Sequence, residues 1–334
     1  MRAFIVEHAG KGAVHQVDKP QPGPGEAIVG IRQVGVCGTD TEFFRGTQHN
    51  LAKGTATFPL RLGHEWSGVV DRIGPGVDPT WVGARVTGDT MLGCGDCAIC
   101  HTGRQHVCPD RFEIGVRGGW PGALADELPT RASALHRIPD AMSFRVGALV
   151  EPASMALRAV KSMDITAGQR VLVWGLGCIG LLTVAFAASA GAVVHAVGRS
   201  RTGLDLARQL GAEEVTAEVP EGLFAAAVAM SPMAEVPARC VSYLEPGGRL
   251  ALVGLSGDPS PLESSDLVVN DITVVGLLSG SNVFAETIAT LQAADFDPAV
   301  LVGEEIPLER TAEALVPRPT SRQGAPKTHI VVSE

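Results

Sequence analysis

"RVLVWGLGCIGLLTVAFAASAGAVVHAVGRS", residues 170–200, decides the fold. From Val171 to Gly198 it carries no formal charge, and it is long enough to cross a bilayer as one helix. Its glycines argue against that. Gly175, Gly177, Gly180 and Gly191 divide it into strand, turn, helix, turn and strand, and no second apolar span of this kind follows. Strands buried in a parallel sheet also read as unbroken apolar runs. The turn "GLGCIG" is a GxGxxG that follows a strand and opens an apolar helix. That context predicts a dinucleotide site, with Gly175 for the tight turn, Gly177 for close approach of a pyrophosphate and Gly180 for helix–strand packing. The backbone of Leu176, Cys178 and Ile179, around the helix start, is expected to face the phosphates.

Beyond the second strand stand Gly198, Arg199, Ser200 and Arg201. A chain that prefers NAD usually carries Asp or Glu about 20 residues past the glycine turn, to hold the ribose 2′-hydroxyl. From Val171 to Leu204 there is no acidic residue. Gly198 would leave room, the two guanidinium groups could fork onto a 2′-phosphate, and Ser200 could donate a further hydrogen bond. NADP(H) is therefore expected over NAD(H). The competing reading is a solvated basic turn.

Texture changes on either side. Residues 1–150 are dense in glycine, proline and short β-rich runs such as "AIVGIRQV", "SGVVDRIG" and "GARVTG", which predict a mainly β domain. From 151 helical and strand signals alternate, the pattern of a parallel sheet with crossover helices. The stretch Gly211–Pro232 is short for a full helix and strand. The tail, 317–334, returns to β and loop texture. A length of 334 residues suits about two domains. The net charge of −9 argues against nucleic acid or an anionic membrane as the main partner. The opening "MRAFIVEHAGKG" lacks an apolar signal region, and with clustered cysteines this points to a reducing cytoplasm.

Four of the seven cysteines fall in fifteen residues: Cys94, Cys97, Cys100 and Cys108. Such close repeats let one turn present several thiolates to a single ion, and four thiolates make a closed tetrahedral zinc site. A ferredoxin-type iron–sulfur cluster is the rival, although seven residues before the last cysteine are too many for that pattern. Bare thiols are the third reading. With all positions filled by sulfur, this centre should be structural. A second, scattered set comprises Cys37, His64, Glu65 and Glu151. Mixed sulfur, nitrogen and oxygen ligands from distant positions are typical of catalytic zinc. Taken singly, a His–Glu pair, a buried thiol and a helix-start carboxylate each have ordinary structural explanations.

In order, "GVCGTD", "GHEWSG", the four-cysteine lobe, "VEPASMALRAV" and "WGLGCIG" resemble the zinc-dependent medium-chain dehydrogenase family over essentially the whole chain. "CGTDTE" and the glutamate of "EP" look most like the polyol and sugar dehydrogenase branch. The resemblance implies an α/β fold, a GroES-like β-rich catalytic domain plus a Rossmann doubly wound parallel-sheet domain. The expected limits are 1–150 with a zinc lobe at 91–110, then 151–282, then a return to the first domain at 283–334. It implies one catalytic and one structural zinc, with Cys37 and His64 as ligands and Glu65 and Glu151 completing the set, directly or through water. Asp40 would orient His64, and Thr39 would meet the substrate hydroxyl. Glu42 stands where some relatives have a histidine at the outer end of a proton relay. The implied activity is reversible oxidation of a secondary hydroxyl on a small polyol, sugar or cyclitol, by a homodimer or homotetramer. The alternatives are a reductase of simple aldehydes or ketones and a non-catalytic nicotinamide-binding relative.

Overall fold

The computed structural model describes residues 1–316 and 324–333. Residues 170–200 form the strand Arg170–Trp174, the helix Cys178–Ser189 and the strand Val193–Val197. The strands pair in parallel, Val171 beside Val194 and Trp174 beside Val197. Along the helix Leu181, Leu182, Val184, Ala185 and Ala187 are all buried. A helix apolar on every side belongs inside a core. Among the described residues no helix is long and apolar enough to cross a membrane.

Among the described residues, six parallel strands run in the order Glu214–Thr216, Val193–Val197, Arg170–Trp174, Phe224–Ala229, Leu244–Leu252 and Thr273–Gly276. The chain steps outward from Arg170–Trp174 on one side, then returns to Phe224–Ala229 on the other. Ligands of doubly wound sheets bind at such a reversal. Glu214–Thr216 and Phe224–Ala229 are joined without a helix, as the shortness of 211–232 predicts.

A second sheet runs Val302–Pro307, Lys327–Val331, Glu26–Gly35, Glu65–Ile73, Arg85–Gly88 and Leu135–Arg137, with Glu127–Arg131 also paired to Glu26–Gly35. The β-rich runs of the first 150 residues supply its centre, over a core that includes Phe4, Phe43, Trp66 and Leu128. Lys327–Val331 lies antiparallel to Glu26–Gly35, with His329 opposite Gly35. The end of the chain therefore lies beside the first domain's longest strand. The helix Phe284–Gln292, inside the segment expected to return, buries Phe284, Ile288 and Leu291 with Val173 and Leu182 of the other core. Val302–Pro307 is the first strand to rejoin the first domain. The tail expectation covers residues 317–323 and 334, which lie outside the described residues.

Candidate functional site

Cys37 lies between the strand Glu26–Gly35 and the helix Gly38–Arg45. Asp40, in the helix's first turn, accepts the Cys37 N–H at 2.9 Å and the Gly63 N–H at 3.2 Å. Its Oδ1 lies 3.4 Å from His64 Nδ1. One buried carboxylate thus fixes the Cys37 backbone, the residue before His64 and one edge of the imidazole. Burial alone would raise the Asp40 carboxyl, but His64 and the two N–H donors hold it below the ordinary range. Burial would likewise lower His64, but Asp40 holds the imidazole well above its usual range.

The Cys37 thiol, a His64 ring nitrogen and a Glu65 carboxylate oxygen lie within 4.8 Å of one another. This fits one metal ion with mixed soft and hard ligands. Glu65 faces Gly35 across the sheet, and a side chain at 35 would collide with its carboxylate. Behind it stands Lys327, whose Nζ lies 2.8 and 2.6 Å from the two Glu65 oxygens and also donates to Val36 O at 3.2 Å. Burial opposes charge on Lys327, but Glu65 overcomes it and keeps the amine's pKa raised. Glu151, in the first turn of the helix Val150–Ser162, lines the same cleft but stands outside the three-ligand cluster. Burial lifts its carboxyl to about 7, against the pull of His64 and with repulsion from Glu65.

Thr39 borders two connected spaces. One, of about 210 Å³, is lined by His64, Glu151, Gln48 and His49. The other, of about 410 Å³, is lined by Glu65, Glu42, Gly177, Cys178 and Ile179. The glycine turn and the thiol–imidazole cluster therefore share a cleft. Gly175 holds φ 111°. A Cβ on Gly180 would collide with Gly175 O, whereas one on Gly177 would meet nothing within 4 Å. Gly177 thus leaves the open approach that a pyrophosphate needs. Leu176 packs beside Gly198, where a Cβ would meet its Cγ and Cδ1 at 2.8 Å. The room expected at Gly198 is filled by that side chain, so glycine there serves packing. Arg199 and Ser200 are exposed. Ser200 caps the helix Arg201–Gln209 by accepting from Gly203 N–H at 3.2 Å, and Arg199 reaches Met233 Sδ at 2.8 Å.

The other cysteine set is separate. Cys94 and Cys100 sulfurs are 3.8 Å apart, as are those of Cys97 and Cys108, and all four lie within 4.8 Å. A tetrahedron with Zn–S bonds of about 2.3 Å has edges of about 3.8 Å, so a single ion fits. The lobe is docked on residues 279–282. Gln105 bonds Asp89 at 3.1 Å and Asn282 at 3.2 Å, Ser281 bonds Asp89 at 3.0 Å, and Asn282 donates to Gly103 O.

Lys327 and Arg111 were not singled out by the sequence, and Gln48, His49 and Glu113 were not named as individual site residues. A lone lysine in "KTHIVV" reads as an edge-strand charge, and its partner is 262 residues away. Gln48 and Arg111 sit in loops, His49 opens the short helix His49–Ala52 and Glu113 ends the short strand Phe112–Glu113, and none stands at metal-ligand spacing.

Residues 23–140 match the model for the alcohol dehydrogenase GroES-like domain, and residues 178–293 match that for zinc-binding dehydrogenases. An L-threonine 3-dehydrogenase of Deinococcus radiodurans is 30% identical over 83% of this chain and 82% of its own. A sorbitol dehydrogenase of Gallus gallus is 30% identical over 93% of this chain and 91% of its own. A zinc-binding dehydrogenase candidate from Sinorhizobium meliloti, solved with NADP, superposes with a TM-score of 0.89 at 26% identity, covering 99% of both chains.

Proposed function

The chain belongs to the zinc-dependent medium-chain dehydrogenases, and on that premise we propose that it reversibly oxidises a secondary hydroxyl of a polyol, sugar or cyclitol with NADP(H). The observation that carries this reading is the shared cleft, in which Cys37, Thr39 and Glu65 border the same space as Gly177, Cys178 and Ile179.

Cys37, His64 and Glu65 would hold the catalytic ion, with Glu151 as a further carboxylate within the cleft. A zinc ion there would act as a Lewis acid on the substrate hydroxyl, and a nicotinamide beside the glycine turn would take up hydride. Asp40 keeps His64 oriented, leaving the imidazole edge away from Asp40 as the ligand edge. Lys327, paired with both Glu65 oxygens, fixes the direction of that carboxylate. Thr39, bordering both spaces, hydrogen-bonds the substrate hydroxyl and takes its proton onward. We place the proton's exit at His49, an exposed imidazole on the substrate side whose Nδ1 lies 3.1 Å from Gln48 Nε2. Glu42 borders the cofactor side instead. The four cysteines of the lobe would hold a second, structural zinc, so metal analysis should return two ions per chain.

NADP preference rests on exposed Arg199 and Arg201 and on the absence of any carboxylate from Val171 to Leu204. Arg199→Ala should weaken NADP binding by about 1–3 kcal/mol and barely alter NAD binding. Equal or better kcat/KM with NAD in the wild type would overturn this assignment. One observation favours a second substrate reading. Arg111 and Glu113, 3.5 Å apart, both line the cleft and offer opposite charges to a zwitterion such as a 3-hydroxy amino acid. A spectrophotometric screen of polyols, sugars, simple alcohols and L-threonine with both cofactors tests these readings together. Higher kcat/KM for primary alcohols than for every polyol would sink the polyol proposal, and preference for L-threonine would install the second reading.

A further inference from the structure

Beside the substrate cleft lies a second cavity of about 650 Å³, walled by residues 54–57, 59–61 and 116–121 and by Ile5, Val17 and Asp18. Val116 lines both spaces. Asn50 of the substrate cleft bonds Thr55 of this cavity, Oγ to Oδ1, at 2.9 Å. The two spaces therefore adjoin along Val116 and the Asn50–Thr55 pair.

The cavity contains two arginines, Arg61 and Arg117. Arg61 is half-buried, and its Nε and Nη2 are fully buried without a hydrogen-bond partner. Among the described residues no carboxylate pairs with either arginine. Asp18 stands on the same wall, yet the Arg61 guanidinium is affected by burial alone, which pulls its pKa down to about 10. Arg117 donates to a backbone carbonyl, Pro109 O, at 3.1 Å. The Arg61 backbone is fixed by Gly122 N–H, which bonds its carbonyl at 2.8 Å, and the next residue's carbonyl is bonded by Leu124 N–H at 3.0 Å. A buried cation without a counter-ion is costly and is ordinarily paired. Guanidinium presents a planar fork of donors that matches phosphate and carboxylate oxygens.

We propose that this cavity binds a phosphate monoester group, the anionic end of a substrate whose reacting hydroxyl lies in the adjoining cleft. The inference rests on the polyol reading for its substrate and on Arg61 for its anion. Arg61 and Arg117 supply the charge, and the exposed turn at Gly118 and Gly119 forms the mouth. Neither arginine touches the metal ligands or the glycine turn, so the subsite acts on substrate choice alone.

Two measurements test it. In the first, thermal unfolding of the zinc-loaded protein is followed with about 10 mM inorganic phosphate against chloride at equal ionic strength, since a ligand of the native state raises Tm. Phosphate should raise the wild-type Tm by several degrees and leave Arg61→Leu unmoved. Without phosphate, Arg61→Leu should unfold no lower than the wild type, because it removes an unpaired buried charge. No shift in the wild type, or an equal shift in the variant, overturns the site. In the second, kcat/KM is compared for a polyol and its phosphate monoester. The wild type should favour the ester by roughly tenfold or more, through KM, and Arg61→Leu should lose that preference while keeping its turnover of the parent polyol. A Tm shift without preference for the ester would make free phosphate the ligand and overturn the substrate assignment. Failure to turn over any polyol would count against the polyol reading, and the Tm comparison would still decide the anion site.

Discussion

At the scale of single residues, two buried charges organise the candidate centre. Asp40 gathers the Cys37 N–H, the Gly63 N–H and the His64 ring, and Lys327 closes on both oxygens of Glu65. Lys327 and Glu65 are 5% and 1% exposed, so neither charge has solvent to fall back on. Lys327→Met would leave Glu65 as an uncompensated buried charge, which costs about 3–5 kcal/mol. We expect that loss in denaturant unfolding, with most of it recovered in Lys327→Met combined with Glu65→Gln. A single variant as stable as the wild type would mean that water replaces the lysine. These residues show where reading by motif stops. Cys37, His64 and Glu65 were visible because ligand types stood in a familiar order. Lys327 was not, because a salt bridge across 262 residues leaves no local periodicity or spacing.

At the scale of elements, the four-cysteine lobe is a short-range design. Cys97 caps the helix Ala98–His101, its sulfur accepting from Cys100 N–H at 3.4 Å, and the remaining geometry comes from turns. A four-residue helix has no stability of its own. A metal held by the four thiolates would therefore organise the lobe, which in turn carries Gln105 and Gly103 to their contacts with Asp89 and Asn282. Cys100→Ser should lower zinc content by about one ion per chain and speed hydrogen exchange through 94–108 and 279–282 together. A variant that stays folded and metal-replete but loses turnover would contradict the structural assignment. The glycine-turn helix is the opposite case. Its apolar sides, its strand before and its strand after were all legible, because buried β–α–β units advertise themselves by composition.

At the scale of the whole molecule, the end of the chain decides how the parts are joined. His329, on the strand that pairs with Glu26–Gly35, is fully buried, and its Nδ1 lies 2.9 Å from Gln33 Oε1. Burial, with the charges of Lys327 and Arg145, drops its pKa to about 3. An unfolded histidine titrates near 6.5. Between those values the unfolded chain binds more protons than the folded one, so this contribution is complete above about pH 6.5 and is lost as pH falls towards 3. Stability should decline by at most about 1.4 kcal/mol per pH unit from this group, and His329→Gln should flatten the limb between pH 6 and 4 in urea titrations. An unchanged slope would mean that the strand opens before His329 protonates. Local pattern alone carried the α/β class, the glycine turn, the alternating strands and helices and the two candidate sets of metal ligands. Each of these is written in local periodicity or in spacing along the chain. Folding in three dimensions settled that Lys327 backs Glu65, that Glu151 stands outside the three-ligand cluster, that Leu176 occupies the room beside Gly198, and that Arg61 has no counter-ion among the described residues. Those depend on which strands lie side by side and on what else fills the space, and burial turns such neighbours from surface charges into strong interactions.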